Sequence, residues 1–153
     1  MKKLWFLPLL MMVGCTTLTT DHHSNDKNDI ELSFYNYLST KNNSSYVGAY
    51  CVGYKDGQNV TNPRQEILKK LTQFNPNIVP VSECTVANDV RLKNDNSKAT
   101  LLFINTLNCD DKQQCTIQGG YYLGNLGSQA STYKAVKVDQ KWFFTVADQG
   151  PVS

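Results

Sequence analysis

The side chains able to do chemistry are few, and their placement decides what this chain can attempt. Only two histidines occur in its 153 residues, His22 and His23, side by side in a polar run over residues 16–28. A Ser-His or Cys-His pair needs an imidazole oriented beside its nucleophile, so the folded part is a poor host for a hydrolase triad. The same scarcity removes the commonest zinc ligand. Asp21, His22, His23 and Asp26 have weak metal-ligand character, but a solvated linker accounts for them, so neither a metal nor another cofactor is expected. Glycoside hydrolysis would need two carboxyl groups about 5–9.5 Å apart in a cleft. Glu66, Glu83 and Asp89 are the candidates. Glu66 falls in the first turns of a predicted helix, where an acid complements the dipole without any catalytic task, and Glu83 adjoins Cys84 in a loop. Ordinary surface roles explain all three, and no catalytic residue is expected.

Binding residues are easier to find. Tyr121 and Tyr122 are neighbours on a predicted strand, so their side chains leave opposite faces and one points away from the core. Exposed aromatics often mark binding surfaces. Asp110 and Asp111 occupy a predicted hairpin tip, where they would be solvated or contact a partner. The glycines between residues 119 and 127 lack the Lys-Ser/Thr ending of a phosphate loop and read as strand bends and turns.

The N-terminus says where the protein goes. Lys2 and Lys3 precede a ten-residue apolar run over residues 4–13, then Gly14 and Cys15. A charged start, a short apolar core and a small residue before the cut make a secretory signal, and the run is well short of the ~20 residues a spanning helix needs. Met12-Val13-Gly14-Cys15 resembles the lipobox of bacterial lipoproteins, with Met12 where the family usually has Leu. The resemblance implies diacylation of Cys15 on sulfur and cleavage before it. Thr16, and not Asp, follows the cysteine, which by analogy implies transfer to the outer membrane, facing the periplasm. Two or more acyl chains give stable attachment where one gives only marginal binding. The reading is a signal peptide over residues 1–14, a lipidated cysteine and tether over 15–28, and a single domain over 29–153.

Cysteine arithmetic agrees. Setting Cys15 aside leaves four of the five cysteines: Cys51, Cys84, Cys109 and Cys115. An oxidising periplasm makes two disulfides the natural outcome, with three connectivities possible. The five residues between Cys109 and Cys115 read as a tip whose flanks could be bridged, which favours that pair and leaves Cys51 with Cys84. Four cysteines without C-x-x-C spacing argue against zinc.

The elements that must position these residues begin near Asp29. Ile30, Phe34, Tyr37 and Leu38 lie at helical spacing behind an acidic first turn. Residues 46–54 read as a strand. A second helix follows over residues 62–71, with Asn62 as cap and Pro63 at the first helical position. Strands are predicted over residues 85–93, 99–108, 116–123, 133–138 and 141–147, joined by polar turns. The fold class is α+β: one or two N-terminal helices packed on a curved antiparallel sheet of four to six strands, with two disulfides. The order of elements and the ending Lys137-Val138-Asp139-Gln140-Lys141-Trp142-Phe143-Phe144 look faintly similar to cystatin-like and nuclear-transport-factor-like folds, which would not fix a function.

Charge narrows the partner. Removing Lys2 and Lys3 from the 15 basic residues leaves 13, equal to the 13 acidic ones, so nucleic acid is not an expected partner. The expectation is a membrane-anchored, non-enzymatic binding or adapter protein for an envelope component. An inhibitor or immunity-type lipoprotein blocking an envelope-targeting hydrolase is an alternative, and a small-molecule or glycan receptor another.

Overall fold

The computed structural model describes residues 22–42, 48–125 and 127–152. The expected signal peptide, Cys15 and residues 16–21 of the expected tether lie outside these. Among the described residues the fold is α+β, with two α-helices and a mostly antiparallel sheet.

Helix α1 (His22–Lys41) starts seven residues ahead of the expected Asp29. The run from His22 to Asn28 holds no Gly or Pro, and once the following turns are buried, propagation into it costs little. Asn28, assigned to the tether from sequence, is buried and belongs to the domain. Ile30, Phe34, Tyr35 and Leu38 form the buried stripe of α1. Phe34 packs edge-on to Tyr133 at 5.0 Å between centroids and against Phe144 at 5.3 Å. Helix α2 (Gln65–Phe74) starts at Gln65, with Arg64 and not Asn62 at its N-cap. Asn62 instead accepts a hydrogen bond from the Ser82 amide at 2.9 Å through Oδ1 and donates Nδ2 to Ser82 Oγ at 3.0 Å. Ile67 and Leu71 turn inward as the spacing predicts.

The main sheet has seven strands. They are β1 (Ala49–Asp56), β2 (Asn59–Thr61), β3 (Ile78–Pro80), β6 (Ala99–Cys109), β7 (Gln114–Gly124), β8 (Gly127–Val138) and β9 (Lys141–Val152). Strands β4 (Cys84–Val86) and β5 (Val90–Leu92) form a separate hairpin where one continuous strand was expected. The order is β2-β1-β6-β7-β8-β9, with β3 also paired to β1. The meander β6 to β9 is antiparallel as predicted, but β1 runs parallel to both β3 and β6. The extra strands come from segments of three residues, too short to display an alternating pattern.

Both faces of the sheet carry a core. On the helix face Tyr50, Val52, Leu102, Ile104 and Ile117 meet α1 and α2. On the reverse face Cys51, Val81, Cys84, Leu101 and Phe103 pack under the β4–β5 hairpin. The long strands carry irregular register after Ile104, after Tyr122 and around Gln129 to Tyr133, and such bulges bend and twist a ladder locally. Gly120 sits where β7 and β8 approach closely: a Cβ there would lie 1.8 Å from the Gln129 carbonyl oxygen.

The two disulfides pair as favoured from sequence. Cys51 joins Cys84 with Cα atoms 6.4 Å apart, tying β1 to the start of the β4–β5 hairpin. Cys109 joins Cys115 across the β6–β7 tip, where the two are direct register partners.

Candidate functional site

The reverse face holds a cleft of about 580 Å³. Its floor is Leu101 and Phe103 of β6 with Tyr122 of β7, and Val60, Val86, Ala87 and Pro151 wall it. Lys55, Gln58, Ser128 and Gln129 supply polar atoms at its margins. Strand alternation explains the floor: Leu101 and Phe103 are two apart and so share a face, and β7 sets Tyr122 directly opposite Leu101. The walls come from the β1–β2 turn, the β4–β5 loop and the near ends of β8 and β9. Two bonds hold the hairpin wall in place. The Cys51–Cys84 disulfide fixes its base, and the Tyr122 hydroxyl donates to the Ala87 carbonyl oxygen at 2.6 Å. Lys55 stands with Nζ 5.7 Å from the Phe103 ring centroid, a cation resting on the face of an aromatic ring. An apolar floor with a few polar groups converging at the rim is the usual construction of a binding pocket.

A second polar cluster joins α1, β1 and the start of α2. Glu31 is buried, with its side chain 2% exposed, and its Oε2 accepts from Arg64 Nη2 at 2.9 Å. The Tyr54 hydroxyl donates to the same oxygen. Glu66 Oε1 lies 3.5 Å from Arg64 Nη1 and accepts from Asn28 Nδ2. Burial first, then the hydrogen bond to Glu31, pushes the Tyr54 hydroxyl well above the ordinary phenol range, and the bond to Glu31 raises Arg64. A shallow hollow of about 390 Å³ opens beside it, lined by Lys27, Tyr54, Arg64 and Asn105 among others. The phenol keeps its proton and the guanidinium neutralises the buried carboxylate, so the cluster works as a clamp between elements.

The residues singled out from sequence are dispersed. Tyr121 packs on the helix-side core and Tyr122 on the reverse-face core, opposite faces as expected, but both faces are covered at that level of the sheet. Only Tyr122 reaches the cleft. Asp110 and Asp111 lie at the far tip of the β6–β7 hairpin, where Asp111 Oδ1 accepts from the amides of Gln113 and Gln114 at 2.6 and 2.8 Å and so builds the turn. Of the three candidate carboxylates, Glu66 joins the Arg64 cluster, Glu83 is exposed in a short 3₁₀ turn, and Asp89 pairs with Arg91 at 2.7 Å. They stand on separate elements, and none lines the cleft. His22 and His23 open α1. Among the described residues no group of three or more His, Cys, Asp or Glu is placed to hold a metal, and no helix is long and apolar enough to cross a membrane.

Sequence reasoning passed over Glu31 and the cleft. Glu31 carried a legible signal, since it falls on the same helical stripe as Phe34, Tyr35 and Leu38, and a carboxylate on an apolar stripe needs a buried partner. The cleft had none, because its parts are scattered from Lys55 to Pro151. Compared with protein-family models, curated proteins and solved structures, the chain matches none of them.

Proposed function

We propose that this chain is an envelope lipoprotein, held on the periplasmic face of the outer membrane by lipidated Cys15, that works by binding an envelope protein through the reverse-face cleft. The observation that carries this reading is the cleft itself: an apolar floor, a polar margin, and a wall fixed by a disulfide and by the Tyr122 hydroxyl. Such a wall is pre-organised, so little ordering entropy is lost when a partner's side chain enters. Anchoring adds to this by raising effective concentration, which makes a weak contact useful. Glu31, a buried carboxylate, is paired with Arg64, which supports a structural and not a catalytic role for it.

The volume of the cleft favours one second reading, a receptor for a small molecule, since about 580 Å³ falls in the range such sites occupy. Cross-linking in intact cells, followed by purification and mass spectrometry, separates the two. A stoichiometric protein partner that is lost in Cys15→Ser supports the anchored adapter. Recovery of the chain alone, under conditions where a control bait captures its partner, moves the assignment to the small ligand.

A further inference from the structure

We infer that the open face of β8 and β9 is a membrane-docking surface that rests on the phospholipid headgroups of the bilayer holding Cys15. The inference rests on the anchoring reading and adds an orientation to it. The β4–β5 hairpin covers the reverse face near β1 and β6 but does not reach this end. Val136, Val138 and Phe143 are 42%, 50% and 57% exposed there. They form one patch: Val136 is the direct register partner of Phe143, and Val138 that of Lys141. Lys134, opposite Thr145, completes the face on β8, and the next strand adds Thr116 and Gln114 beside Lys134 and Val136. Lysines thus flank three apolar side chains at diagonal corners, with the carboxylate of Asp139 at the rim in the β8–β9 turn.

Chemistry and position favour lipid over protein as the occupant. Lysine is depleted from protein-protein contact regions, whereas at a bilayer surface its stem lies along apolar groups while the ammonium meets headgroup phosphates. Position follows from α1. Asp29 Oδ2 accepts from Trp142 Nε1 at 3.1 Å and pairs with Lys137 Nζ at 3.0 Å, so the N-terminal half of α1 lies beside the turn-bearing end of β8 and β9. The chain runs from there toward Cys15 through six residues, 16–21, ahead of His22, which reach at most about 25 Å. The end carrying the patch is therefore the end the anchor holds at the bilayer. Seven residues of β8 lie between Val136 and Ser128 on the cleft margin, about 25 Å of strand, so the patch and the cleft occupy opposite ends of the same reverse face.

The test uses the mature lipidated protein in phosphatidylethanolamine–phosphatidylglycerol vesicles. Phe143→Cys and Val138→Cys each add one free thiol beside the two disulfides, and an environment-sensitive fluorophore is attached there. Gln73→Cys, exposed near the end of α2, is the control. Nitroxide-labelled lipids are expected to quench the probes at 143 and 138 by about twofold or more, as for groups seated at the headgroup level, and to leave the probe at 73 unchanged. Changing Lys134 and Lys141 together to Glu should remove the difference. Vesicle-bound protein with equal quenching at all three positions overturns the docking but leaves the anchor standing. A blue shift that grows with protein density without nitroxide quenching shows a second copy on the patch and also overturns it. Protein that fails to sediment with the vesicles overturns the anchor and the docking together.

Discussion

Arg64, just ahead of α2, reaches across to Glu31 on the buried stripe of α1 and meets its carboxylate at 2.9 Å, the acid 2% and the guanidinium 44% exposed. Removing the cation while leaving the buried acid costs about 3–5 kcal/mol for a fully buried pair. Water can enter beside a half-exposed arginine, so Arg64→Ala should destabilise by nearer 2 kcal/mol. Glu31→Gln should cost less, because the amide keeps an acceptor for Tyr54. Urea denaturation of the two variants measures both, and equal losses would show that the ion pair does not set the effect.

Alkaline pH should weaken the fold. Burial raises the hydroxyls of Tyr54 and Tyr35 above the ordinary phenol value, so the folded state holds these protons more tightly than the unfolded state. Their stabilisation is complete below about pH 10, where unfolded tyrosine titrates, and is lost progressively as pH rises above that toward the folded values. Stability measured from pH 8 to 11 should fall above 10, and Tyr54→Phe should blunt the fall.

The disulfides should differ in worth. Cys51–Cys84 closes a loop with a sequence separation of 33 and Cys109–Cys115 one of 6, which in the chain-entropy account gives about 4 against about 2 kcal/mol. Paired serine substitutions compared by thermal or urea unfolding check the order. The first pair also fixes the cleft wall, so its loss should weaken partner binding, while loss of the tip pair should not.

Gly120→Ala should be among the most damaging small changes, since its Cβ would meet the Gln129 carbonyl oxygen and two backbones would have to separate. A loss of about 3 kcal/mol or more is expected. Gly127→Ala, whose Cβ would face only a Leu123 methyl at 3.4 Å, should be close to neutral.

What the sequence made readable follows from range. The α1 stripe, the meander and the cysteine pairs rest on local spacing: Ile30, Phe34 and Leu38 recur at helical intervals, and five polar residues between Cys109 and Cys115 mark a tip. The parallel pairing of Tyr50 with Thr100 and of Val52 with Leu102 has no local signature, because nothing near either strand names its partner. The early start of α1 had a second effect. Placed at Asp29, the helix put Glu31 in a first turn where an acid suits the dipole, whereas from His22 it stands in mid-helix among buried side chains and needs Arg64. Tyr122 was visible as a face-alternating aromatic, but its value depends on Ala87 and Phe103, which the fold brings to it.

Site-specific photo-crosslinking tests the central claim most directly. A photoreactive amino acid is placed in living cells at Gln58 or Val86 on the cleft margin, and at Gln73 on α2 as control. The account predicts one discrete adduct of the same mass from both cleft positions, absent from Gln73 and reduced by Cys15→Ser. Adducts of equal yield from all three positions, or an adduct from Gln73 alone, would contradict recognition through the cleft.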